Sequence, residues 1–351
     1  MSAVESQRPL MPELTENHGR PTLASLFAAE VLRLRSRRLV KIVLAAGVIL
    51  LTLVTFIIAV NSGSPSAADR ARVQQQVDQD RAACLAAVAQ DPQVPKDVDP
   101  SSICTFDASG YGLKQPYDFT GGYRGGVIGV AVGVAALLFL IGASAGGAEW
   151  SARTMPALLY WEPRRLRVML VKTSVLAAFA VLVSFIGQVI WLLYASGLRA
   201  VRGFDPAPSL PAGYWSEVVA IASRGLLLAV LVALGAFALA NLTRNTAAAL
   251  GIGFIYFAVL ENVVNVFLPR FSRWSLASNV AAFLNPGGLE VPSGESASFA
   301  SSQVGSGSSQ TPLIDNSVIA LSNLRAGLLL STVVVVFLVV ATALFARRDI
   351  T

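Results

Sequence analysis

The chain has 351 residues, 54% of them hydrophobic and only 14% charged, with a mean hydropathy of +0.61 and a formal net charge of +6. Soluble domains carry about 25% charged residues, so most of this chain reads as lipid-embedded rather than as a water-soluble enzyme. The positive charge does not point to nucleic acid, because the basic residues flank the apolar stretches. There they set topology and meet anionic lipid headgroups.

Residues 1–21, with Pro9, Pro12, Pro21 and the lone His18, read as a disordered cytoplasmic tail. His18 has no ligand partner nearby and is given no role. From Thr22 to Lys41, Leu23, Leu26, Phe27, Val31 and Leu34 recur at helical spacing beside Glu30, Arg33, Arg35, Arg37 and Arg38. That pattern predicts an amphipathic helix on the inner membrane surface. It runs into a first span at Ile42–Val60, whose basic flank is too long for a cleaved signal peptide.

Residues 61–122 form an extracytoplasmic module. Ala67–Gln90 reads as helical, and Pro92, Pro95 and Pro100 then break the chain. The only cysteines, Cys84 and Cys104, both lie here. In an oxidising compartment a disulfide is the natural reading, closing a loop worth about 3 kcal/mol in the entropic model. No His lies in this loop, which argues against a metal site.

Five more apolar stretches follow, at Val127–Ala148, Thr173–Leu198, Gly225–Ala240, Ala247–Leu268 and Ala326–Phe345. A bilayer core of about 30 Å needs about 20 apolar residues in a helix. The fourth stretch falls short unless it starts near Val218 and carries Arg224 into the interface. Between the fifth and sixth spans lies an outer loop, 269–323. Within it Phe271–Leu284 is apolar but too short to span, and reads as an interfacial or re-entrant helix. Ser293–Ser309 is rich in Ser and Gly and is expected to be mobile. The fold class is therefore an all-α integral membrane protein with six transmembrane helices, an N-terminal interfacial helix and a re-entrant element before the last span.

Arg33, Arg35, Arg37, Arg38 and Lys41 precede the first span. Arg153, Arg164, Arg165, Arg167 and Lys172 lie between the second and third, Arg244 between the fourth and fifth, and Arg347 and Arg348 after the sixth. The module at 61–122 instead holds eight Asp against five Lys and Arg. The positive-inside rule puts both termini in the cytoplasm of a plasma-membrane protein.

Catalytic motifs are missing. No lysine among Lys41, Lys96, Lys114 and Lys172 follows a glycine, so there is no GxxxxGK[ST] phosphate loop, and there is no HExxH. A G-x-S-x-G string at Gly142–Gly146 lies in an apolar span without a strand or a His partner, and reads as small-residue helix packing. The segment Glu149–Lys172 carries the strongest signal. It has an acidic start, an apolar Leu158–Trp161 centre and a basic tail. Exposed Leu, Tyr and Trp suit docking into a partner's groove; equally, the aromatics could anchor at headgroups while the arginines set topology.

Glu149, Trp150, Thr154, Leu158, Leu159, Arg165, Arg167 and Lys172 fall where the loop after the second span of ABC type-2 exporter permeases carries Glu and an aromatic, Thr, a Leu pair, spaced Arg and a Lys. The segment resembles that family, with departures at Arg153, where Gly is usual, and at Pro156 and Pro163. Leu242–Ala248 is similar to the family's turn between the fourth and fifth spans, and Phe345–Asp349 to its C-terminal signature. The resemblance covers most of the chain from Thr22, except the first outer loop.

This resemblance implies a permease subunit that dimerises, with its own copy or a paralogous permease, and docks a separate cytosolic ATPase through residues 149–172. ATP and magnesium would belong to that partner; this chain would hold no cofactor and hydrolyse nothing. The coupling residues would be Glu149, Trp150, Thr154, Leu158, Leu159, Arg165 and Arg167. Gln188, Arg224, Glu261 and Asn262 are polar residues within or near the spans and so candidate pathway residues. The competing reading for Glu261 is a structural pairing with Arg224, Arg270 or Arg325. The rival functions are a stand-alone sensor or scaffold using the outer module, or a secondary transporter, which would be expected to show internal repeats. The substrate is not legible.

Overall fold

The computed structural model describes residues 22–90, 99–152, 164–267, 269–292 and 318–347. The expected tail, Thr154, Leu158, Leu159 and the Ser- and Gly-rich stretch lie outside the described residues.

Helix α1 spans Leu23–Ser36 and opens on Thr22, whose hydroxyl accepts the Ser25 N–H at 3.3 Å. It stops at Arg37, which adopts an extended backbone (φ −65°, ψ 124°), and α2 begins at Arg38 and runs to Asn61. The expected helix over Thr22–Lys41 is thus two helices divided by one residue. That break turns the Arg37 side chain inward, onto the main chain of the second span. Apart from Val40, α2 has no buried residue, and Ile42, Ile49, Leu50, Leu53 and Phe56 all face outward.

Helix α3 (Ala67–Gln90) belongs to the module at 61–122, and Cys84–Cys104 is a disulfide with Cα atoms 5.8 Å apart. Tyr111 donates to Asp80 at 2.7 Å, tying the later turn back onto α3. The module is held to the bundle at both ends. Gly63 N donates to Gln115 O at 3.1 Å, Lys114 Nζ to Val60 O at 3.0 Å, and Tyr117 N to Arg202 O at 2.7 Å.

The remaining long helices are α4 (Phe119–Ser151), α5 (Arg165–Arg202), α6 (Tyr214–Thr243) and, later, α10 (Asn323–Arg347). The fifth apolar run is α7 (Thr246–Ile255), a π-helical turn (Tyr256–Leu260) and α8 (Glu261–Phe267). Among the described residues, six helical runs are long and apolar enough to cross a membrane. The fourth is longer than its apolar core suggests, because helix continues back through Arg224 to Tyr214. Side chains there need only be amphipathic, since length is set by backbone hydrogen bonding rather than by hydropathy.

Helices α4 and α6 form the centre of the bundle. A Cβ at Gly142 would lie 2.3 Å from the Ala233 carbonyl oxygen, and one at Gly146 2.6 Å from that of Phe237. The Gly142–Gly146 string is therefore the contact face that lets two backbones touch. It is continuous helix, not a nucleophile turn.

Before the last span come a 3₁₀ turn (Pro269–Trp274), helix α9 (Leu276–Leu284) and an antiparallel ribbon of β1 (Leu289–Pro292) and β2 (Val318–Leu321). Ser275 interrupts the expected Phe271–Leu284 helix by capping α9, its hydroxyl accepting the Ser278 N–H at 3.3 Å. The ribbon is a short exception within a largely helical chain. Gly287 and Gly288, at φ 81° and 94°, supply the left-handed turn that starts it. Asn323 then closes the other end of α9, donating to the carbonyls of Ala282 and Asn285, both at 2.7 Å.

Candidate functional site

The ends of α1, α4, α5, α6 and α10 meet at the basic end of the bundle. Two linked constellations occupy it.

The first is an ion cluster. Lys172, in the second turn of α5, places Nζ 2.7 Å from Glu149 Oε1 and 2.8 Å from Glu30 Oε1. Arg37 reaches the same Glu149 oxygen at 3.2 Å, and its other terminal nitrogen donates to the Ser144 carbonyl at 2.8 Å. Arg33 pairs with Glu30 at 3.0 Å on the surface side. The Lys172 side chain is 4% exposed and that of Arg33 47%, so the cluster runs from core to solvent. A lone charge at such depth costs several kcal/mol, which sharing among neighbours offsets. A cavity of ≈20 Å³ beside it, bounded by Glu30, Arg37, Glu149, Lys172 and Phe237, has room for one water.

The second is centred on Trp150. Its indole N–H donates to Asn241 Oδ1 at 3.1 Å, and Asn241 donates to the Phe237 carbonyl at 2.8 Å. The Arg244 guanidinium lies 4.8 Å from the ring centroid, and Phe345 meets the ring edge-on at 6.1 Å. Arg165 donates to the carbonyls of Phe345 and Ala346 at 3.2 and 3.3 Å, closing the end of α10. Arg244 holds a left-handed conformation (φ 54°) at the end of α6, and Asn245 caps α7 by accepting the N–H groups of Ala247 and Ala248.

Of the residues expected to meet a partner, Glu149 is buried and Trp150 half-buried. Helix α4 runs past the apolar stretch to Ser151, which puts them on its packed face. Arg165 and Arg167 are half-buried and engaged. Thr154, Leu158 and Leu159 lie outside the described residues. Glu30 and Arg37 were missed as site residues. The signal available was Glu30, the one acid on an otherwise basic helix.

The pathway candidates differ in setting. Gln188 is buried and donates to the Val127 carbonyl at 3.1 Å, with its Oε1 unpartnered. Arg224 is half-buried on α6, and Asn262 is exposed, bonded to its own helix at Ala258 O. Glu261 is buried, but its carboxylate is taken by the Ser275 hydroxyl, the Ala277 N–H at 3.1 Å and Tyr256 rather than by Arg224 or Arg325.

The described residues hold no group of three or more metal-ligating side chains. In the ion cluster each carboxylate meets at least two cations, an arrangement that joins helices rather than one that moves protons. Comparison with family models, with curated proteins and with solved structures returns no match, so function must be argued from this geometry and the sequence.

Proposed function

We propose that the chain is the membrane-spanning permease subunit of an ATP-driven exporter, coupled to a separate cytosolic ATPase at its basic end. One observation carries this reading. The three segments that resemble exporter permeases, 149–172, 242–248 and 345–349, are far apart in sequence, yet Trp150, Arg244 and Phe345 meet at one ring. Independent topology signals would not need to converge on a shared contact. In this reading, docking at residues 153–163 and at the exposed Leu166 and Leu170 moves the ends of α4 and α5. The ion cluster passes that motion to α1 and α2. Two packed arrangements with different ATPase affinity would then switch access to the path. ATP and magnesium sit in the partner, and a second permease completes the path.

The test is copurification. The chain is coexpressed with any ATPase whose reading frame, marked by GxxxxGK[ST], adjoins its own, and ATP hydrolysis is measured in nanodiscs. Leu158→Asp with Leu159→Asp should release the ATPase, with an elution profile matched to wild type showing that the permease stays folded. Wild-type protein that captures no ATPase and stimulates no hydrolysis would rule the reading out and favour a stand-alone sensor built on the outer module.

A further inference from the structure

A long apolar groove opens between α6, α7, α9 and α10, with a volume of ≈760 Å³. Leu231, Val232, Phe257, Val280, Val333 and Phe337 line it, and Trp274 and Arg325 stand at one end. From Arg325 to Phe337 it follows α10 for about 18 Å at ~1.5 Å per residue. That length is close to one leaflet of a hydrocarbon core about 30 Å thick.

Arg325 makes the end at Trp274 cationic. Arg273, beside Trp274 but outside the groove lining, adds a second charge: both guanidinium groups lie 5.8 Å from the Trp274 ring centroid. Among the described residues no carboxylate is within ion-pair distance of either arginine. Glu261, the nearby acid, is spent on Ser275 and Ala277. Two like charges sharing one ring, with no carboxylate among the described residues paired to either, form a place for an anion. A Trp at this level marks the headgroup region of a membrane.

We infer that this groove binds one anionic phospholipid, its acyl chain along α10 and its phosphate between Arg273 and Arg325. Apolar walls alone would accept any chain; the paired arginines select the charge. The site stands on this groove and does not depend on the exporter reading.

The full chain, in neutral detergent micelles holding equal phosphatidylglycerol and phosphatidylcholine, would be examined by native mass spectrometry. Wild type should retain phosphatidylglycerol in preference. Arg273→Gln and Arg325→Gln should each lower that preference about fivefold, the factor one cation contributes near an anionic headgroup. Arg72→Gln, on exposed α3, should not. Val333→Trp should lower retention of both lipids by filling the groove. Its elution profile, matched to wild type, separates exclusion from misfolding, and the arginine variants localise the site without it. Equal retention of both lipids by wild type, an unchanged preference in the arginine variants, or a lipid-free dimer closing the groove with a second copy would each overturn the inference.

Discussion

The Lys172 ammonium lies 2.7 Å from Glu149 Oε1 and is almost fully withdrawn from water. The contact joins the end of α4 to the start of α5, and Lys172 continues to Glu30 on α1. Helix α1 is thus tied by charge to the end of α4 and the start of α5.

Lys172→Met should therefore be among the most damaging single changes. It leaves Glu30 and Glu149 short of a cation, and breaking a buried pair costs about 3–5 kcal/mol. Thermal unfolding in detergent should show a large loss. Adding Glu149→Leu should recover part of it, since removing both charges leaves fewer buried groups unpaired. Additive losses in the double variant would show that the pair is not energetically coupled.

The number and order of the long helices were legible because lipid forces long apolar runs. The disulfide was legible because only two cysteines exist. The site was legible as a segment but not as a geometry. Glu149 and Trp150 read as exposed because hydropathy falls after Ala148, whereas hydrogen bonding carries α4 on to Ser151. The break at Arg37 left no Pro or Gly as a sign; it depends on tertiary contacts to Ser144 and Glu149. Glu261 was legible as a charge within an apolar span but not as the cap of α9, because a helix cap supplied from a different helix has no local pattern to reveal it.

Asp118 caps α4 by accepting the Thr120 hydroxyl and the N–H groups of Thr120 and Gly121 at 2.9 and 3.0 Å. Burial pushes its carboxyl up, but the Thr120 hydroxyl, those two N–H groups and Arg124 outweigh it and hold it below the ordinary range. A depressed folded value means the stabilisation is present above the unfolded value of about 3.9. It is lost as pH falls through the folded value. Asp118→Ala should cost about 1 kcal/mol near neutral pH. Asp118→Asn keeps an acceptor and should flatten the acid end of the melting curve. An acid slope identical to wild type in Asp118→Asn would discount this carboxylate.

Cutting the Cys84–Cys104 link should act locally. The closed loop of about 20 residues is worth roughly 3 kcal/mol in the entropic model. Hydrogen bonds from the Gly63 and Tyr117 N–H groups and from the Lys114 side chain hold the module to the bundle. Cys84→Ser with Cys104→Ser should speed hydrogen exchange across α3 while α4 and α6 keep their protection. Equal acceleration in all three helices would show that the module and the bundle unfold as one unit.

Glu261 decides between a cap and a pathway residue. Its carboxylate meets the Ser275 hydroxyl and the Ala277 N–H at the first turn of α9, where a negative group is favoured. Removing it leaves those donors unsatisfied in a buried place, a cost of about 1–3 kcal/mol. Glu261→Ala should accelerate exchange of Leu276–Leu284, and Glu261→Gln, which keeps one carbonyl acceptor, should do so less. Trp274 stands one residue before the cap, so loosening α9 should also weaken phosphatidylglycerol retention in the adjoining groove, in the same order of variants. If Glu261→Gln instead abolished transport by the assembled complex with α9 exchange and lipid retention unchanged, the carboxylate would act on the transported substrate rather than on the helix it caps.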